Sequence, residues 1–145
     1  MSKQYKLIEE IYKDASMGEF STQKLLENLK GKDNKIIGDV ERLFKEYSFY
    51  KEKAKDSMAA RDILLNDESG ISKMMSSMGI FKEVLADNSD SAIADLLIQG
   101  LFMGEIEMQK RIDKASDDID KEDLKLAKDF LKFQRKAKKM ISEYL

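Results

Sequence analysis

Apolar residues recur at helical spacing along nearly the whole chain, in four blocks separated by polar breaks. The first block, about 3–30, carries Ile8, Tyr12, Ala15, Thr22, Leu26 and Leu29 on one stripe. The second, about 34–63, carries Ile36/Ile37, Val40, Leu43/Phe44, Tyr47, Tyr50/Lys51, Ala54 and Met58. In the third, about 92–116, the stripe is Ala94, Leu97/Ile98, Leu101, Met108, Ile112 and Ala115. In the fourth, about 121–145, it is Leu124, Ala127, Phe130/Leu131, Gln134, Ala137/Lys138, Ile141 and Leu145. Each pattern predicts an amphipathic helix with one face inward.

The breaks set the expected connections. Ser2 is placed to cap the first helix and Gly31 to end it. Lys32-Asp33-Asn34 is too short for anything but an antiparallel return. DDIDKED makes a similar turn before the fourth helix, with Asp120 and Asp123 as capping candidates and Glu122 favouring the helix dipole. The middle connection is much longer. It opens with NDESG, closes with the capping run 88–91, and holds a predicted short helix, about 72–86, with Met75, Met78, Phe81, Val84 and Leu85 on one face. A segment of this size can run the length of a bundle of about 40 Å, which lets the second and third helices lie parallel.

Two glutamates interrupt these stripes. Glu19 stands where an inward apolar residue belongs on the first helix, and Glu105 does so on the third. Their neighbourhoods repeat: ASMGEFSTQK (15–24) and LFMGEIEMQK (101–110) share Met, Gly, Glu, Gln and Lys. Gly18 and Gly104 in these runs are expected to let helices approach closely. The repeat suggests two similar hairpins related by an internal pseudo-twofold. Burying a lone carboxylate costs several kcal/mol unless it is neutralised or hydrogen-bonded. The polar stripe residues at the same height are Tyr47 and Gln134, so a central polar layer of Glu19, Glu105, Tyr47 and Gln134 is expected. Within it the two acids would share a proton.

Composition narrows the chemistry. The chain has 145 residues, enough for one domain (1–145) with its own core. Charged residues make up 37% and there is no proline, which suits long helices. Without cysteine or histidine, thiolate chemistry, Cys/His zinc sites and histidine-based catalysis are excluded. The net charge of -2 implies no nucleic-acid field, and KFQRKAKKM (132–140) reads as the solvated face of the last helix. No apolar run approaches ~20 residues, so no membrane span is expected. The opening MSKQYKLIEE lacks an apolar core and is not expected to act as a signal peptide, so a cytoplasmic protein is expected. A two-carboxylate hydrolase built on Glu19 and Glu105 would need a substrate cleft, which a closed bundle does not offer.

Two hairpins, a long crossover and an inward glutamate on the first helix of each hairpin resemble the ferritin-like superfamily, the rubrerythrin and ferritin type of four-helix bundle. The resemblance implies an all-α fold over nearly the whole chain. It also implies a di-iron motif: one Glu on each of helices one and three, and Glu-x-x-His on each of helices two and four. Glu19 and Glu105 match the lone glutamates. Helix two instead offers Tyr47 and Tyr50 at the inward i, i+3 positions, and helix four offers Gln134 and Ala137. Glu46, an alternative on helix two, lies off the stripe, with Phe49 three residues on. The motif is therefore degenerate, and too few donors remain for two iron ions.

The sequence thus leads to a non-enzymatic ferritin-like bundle with a structural or protein-interaction role, a homodimer without cofactor and without catalytic residues. The alternative is a divergent carboxylate metal binder holding one Fe or Mn ion on Glu19, Glu105 and Tyr47. A further possibility is a partner surface on the crossover, formed by Met74, Met75, Met78 and Phe81.

Overall fold

The computed structural model describes residues 6–63, 87–115 and 117–145. They form four α-helices: α1 (Lys6–Asn28), α2 (Ile37–Ala60), α3 (Asp90–Asp113) and α4 (Lys121–Ile141). A 3-10 turn, Ser142–Tyr144, extends α4. Among the described residues there is no strand, and no helix is long and apolar enough to cross a membrane. The predicted helices lie where the apolar stripes place them, with the described ends within about four residues of expectation; α3 begins two residues early, at Asp90. The cap assigned to Ser2, the short crossover helix and the partner candidates Met74, Met75, Met78 and Phe81 lie outside the described residues.

α1 packs chiefly on α2, and α3 on α4. The core between them holds the striped residues Ile8, Val40, Met108 and Phe130, and also Ile11 and Ile93 from outside the stripes, all fully enclosed. Each such side chain contributes ~1.5–3 kcal/mol of burial. Thr22 is also fully buried, and its hydroxyl is satisfied locally by donating to the Gly18 carbonyl at 2.7 Å. That pairing makes a threonine tolerable on an inward stripe.

The helix ends carry the contacts that align the bundle. Gly31 ends the first hairpin arm with φ +81, a conformation that glycine adopts without cost. α2 has no side-chain cap of its own. Asp90, in the first turn of α3, serves instead: it accepts from Lys35 N at 3.2 Å and from Asn34 Nδ2 at 2.9 Å. The first turns of α2 and α3 therefore adjoin. At the same end, the Tyr144 hydroxyl donates to Asp39 at 2.5 Å, so the end of α4 meets the start of α2. At the opposite end, Arg61 beyond α2 clasps Asp123 in the first turn of α4, with its Nη2 2.7 Å from both carboxylate oxygens. Ser57 donates to the same carboxylate at 3.2 Å.

This clasp corrects one capping expectation. Asp120 alone caps α4, accepting from Glu122 N and Asp123 N at 2.8 and 3.2 Å. Asp123 is only 1% exposed and is committed to Arg61. A carboxylate so deep needs a full-strength partner more than the helix needs a second cap.

Candidate functional site

The Met-Gly-Glu run of α1 is read by α2. Gly18 lies directly under the Tyr47 ring, and a Cβ there would collide with the ring carbons. The missing side chain lets the ring pass between α1 and α2 and lie 8% exposed. The residues that follow Tyr47 take the neighbouring glutamate. Ser48 donates to Glu19 Oε2 at 2.6 Å, and Lys51 Nζ to Oε1 at 2.8 Å.

The second copy of the run is read by α4 in the same way. A Cβ on Gly104 would come within 2.6 Å of Gln134 Nε2, so the glycine makes room for the glutamine. Beside it, Lys138 donates to Glu105 Oε2 at 2.9 Å and Arg135 Nε to Oε1 at 3.2 Å. Tyr47, Ser48 and Lys51 on α2 thus have the same roles and spacing as Gln134, Arg135 and Lys138 on α4. Each hairpin builds one glycine seat and one clamped glutamate.

These contacts overturn the shared-proton expectation. Neither glutamate bonds to the other, to Tyr47 or to Gln134; each is taken by cations of its own hairpin. The two side chains are 22% and 14% exposed, so they sit at the margin of the core. Burial opposes ionisation of Glu19, but the hydrogen bonds from Lys51 and Ser48, with the Lys51 charge, outweigh it and hold the carboxyl below its ordinary value. The same hydrogen bond raises the Lys51 ammonium above its own.

Tyr50 is not part of this arrangement. Its ring packs on Phe130 and Phe133, with centroids 5.0 and 5.6 Å away, and its hydroxyl donates to the Asp129 carbonyl at 3.2 Å. Burial, with the charges of Glu46 and Asp129, pushes the hydroxyl up to about 12. Among the described residues, no group of three or more His, Cys, Asp or Glu side chains is placed to hold a metal ion.

Tyr47 and Gln134 line one space. A cavity of about 360 Å³ lies between α1 and α3, and both side chains line it together with Gly18, Gly100 and Gly104. The expectation of a closed core without a cleft is therefore wrong. Small residues facing each other on α1 and α3 leave volume that neighbouring side chains do not fill. Leu96, Leu97, Leu101, Met17 and Met103 supply its apolar walls. Asp14 lines it as well, and its Oδ2 is buried without a hydrogen-bond partner, as is Gln134 Oε1. Burial raises the Asp14 carboxyl well above its ordinary range, Glu10 and Glu107 add to the rise, and Lys13 and Arg111 oppose it. Tyr47 is raised by burial and then by the Asp14 charge.

Sequence reasoning placed Lys51 and Lys138 on the inward stripes but did not connect them to the glutamates. The available signal was the lysine itself, four residues after the polar stripe residue on each second arm. Asp14 was missed altogether. It lies four residues before Gly18 and three after Ile11, which puts it on the glycine's face of α1. No protein-family model, curated protein or solved structure matches this chain.

Proposed function

We propose that this chain is a non-enzymatic, ferritin-like four-helix bundle that works by associating with another protein, in the first place with a second copy of itself in the cytoplasm. The ferritin-like reading includes the long connection between α2 and α3 as a crossover. Support for it comes from the ends: Asn34 and Asp90 bring the starts of α2 and α3 together, while Arg61 and Asp123 bring the end of α2 to the start of α4. Clamping of both glutamates by lysine supports a role without a metal or cofactor. A cation that already neutralises a carboxylate occupies the place an ion would take.

The observation that carries the association is an apolar strip on α3. Phe102, Met103 and Ile106 share one face and are 49%, 69% and 38% exposed. Three large apolar side chains on one face, next to the mouth of the cavity, are the kind of patch that partners cover. Sedimentation equilibrium tests this directly. The chain is expected to dimerise, and Phe102→Ser with Ile106→Ser to weaken the dimer at least tenfold without lowering helicity. A monomer at all concentrations, or an unaffected dimer, would overturn the reading. Elemental analysis of protein purified without chelator tests the rival reading, one Fe or Mn ion on Glu19, Glu105 and Tyr47. A stoichiometric metal lost in Glu19→Ala would establish that rival.

A further inference from the structure

The cavity between α1 and α3 is not needed by either clamp, and its chemistry is one-sided. Among the described residues, Asp14 and Glu107 are the only carboxylates lining it, and no lysine or arginine lines it. Glu107 is at the rim, where its half-exposed side chain has only a long contact of 3.9 Å to Lys110. Deeper in are two unpartnered acceptors, Asp14 Oδ2 and Gln134 Oε1. Gln134 is 2% exposed, so its oxygen has no recourse to bulk solvent. A buried acceptor left without a hydrogen bond is unfavourable, and an incoming donor relieves it. Leucine and methionine supply most of the remaining side-chain wall, with Tyr47, Ser21, Thr22 and Gln99 beside them, and favour an apolar body.

We infer that this cavity is a binding site for a small hydrophobic amine. The ammonium head lies against Asp14 and Gln134, and the apolar body lies between Leu97, Leu101 and Met103. A site of about 150 Å³ accepts benzene, so about 360 Å³ suits a ligand of roughly a dozen non-hydrogen atoms. Burial holds the Asp14 carboxyl above its ordinary range, and an ammonium in contact favours its ionised form, because the opposite charge offsets the burial. The flanking cations Lys13 and Arg111 supply part of that charge, but burial and the neighbouring acids outweigh them. Arg111 is 3.6 Å from Glu10, and Glu10 and Glu107 add negative charge. An anionic ligand is disfavoured by Glu107 at the rim and by the unpartnered acceptor oxygens deeper in.

Isothermal titration calorimetry of the full chain with 4-phenylbutylamine, 4-phenylbutanol and 4-phenylbutyrate tests the inference. The amine is expected to bind with one site per chain, at least tenfold tighter than the alcohol, and the acid not at all. Asp14→Asn is expected to weaken the amine at least tenfold and leave the alcohol within about threefold. Gly100→Leu supplies the control for folding. Gly100 lines the cavity and a Cβ there meets nothing within 4 Å, so a leucine at this position narrows the site and raises helix propensity. That variant is expected to keep or raise the melting temperature and to lose the amine. No amine binding at millimolar concentration would overturn the inference. So would equal binding of the acid, an unaffected Asp14→Asn, or a folded Gly100→Leu that still binds.

Discussion

The two hairpins solve one packing problem with different side chains. In each, a glycine admits a large residue from the partner helix, and the next residue, a glutamate, is clamped from positions one and four further along that helix. The first hairpin admits a rigid ring, Tyr47, and finishes the clamp with Ser48. The second admits a flexible amide, Gln134, and finishes with Arg135. The seats therefore differ in tolerance. A Cβ at Gly18 meets the carbons of a rigid ring that packs edge-on against Phe130 and Phe133. A Cβ at Gly104 meets only the end of a side chain that can swing toward the cavity. The same motif is thus a strict requirement in one hairpin and a convenience in the other.

The largest expected effect lies outside both copies, at the clasp that joins them. Arg61→Met leaves Asp123 buried without its cation and is expected to cost about 3 kcal/mol in urea unfolding. Both hairpins should be lost in one transition; two separate transitions would show them to be independent units. Next comes the seat comparison. Gly18→Ala is expected to cost about 1–3 kcal/mol through overpacking against Tyr47, measured by the urea midpoint. Gly104→Ala should be near neutral, or stabilising by up to about 1 kcal/mol, because helix propensity outweighs a small shift of Gln134. Equal costs would remove the distinction between ring and amide.

The smallest effect concerns the clamps. Glu19→Gln is expected to cost about 0.5–1 kcal/mol at pH 7, as a partly exposed ion pair does. Because the folded carboxyl sits below its unfolded value, that stabilisation is present at neutral pH. It is lost as pH falls through the folded value, so the variant and the parent should converge in acid. Thermal melts from pH 7 to about pH 3 would show the convergence. Asp14 works in the opposite direction. Its folded carboxyl lies above the unfolded value, so its contribution is fullest in acid and declines as pH rises through the folded value.

Much of the fold was legible in the sequence because helical periodicity is a local signal. The four stripes, the glycine stop at Gly31 and the Asp120 cap each depend on residues a few positions apart. The Gly18/Gly104 repeat was legible for the same reason. What was not legible depends on rotation of the helices about their own axes. A turn of a few tens of degrees decides whether Glu19 faces Glu105 or Lys51, and apolar spacing does not fix an angle that finely. Flexible lysine stems reach a carboxylate at the core margin and keep the charge near solvent, which costs less than desolvating two acids together. Asp14 was invisible because its burial comes from α3 closing over α1, a long-range contact. The cavity beside it came from glycines read as close contacts.

The central claim is that each glutamate belongs to its own hairpin, and double-mutant cycles measured by urea unfolding test it most directly. The account predicts a coupling of about 0.5–1 kcal/mol within each of Glu19→Gln/Lys51→Met and Glu105→Gln/Lys138→Met, and less than about 0.3 kcal/mol between Glu19→Gln and Glu105→Gln. A coupling between the two glutamates as large as either glutamate–lysine coupling would contradict it.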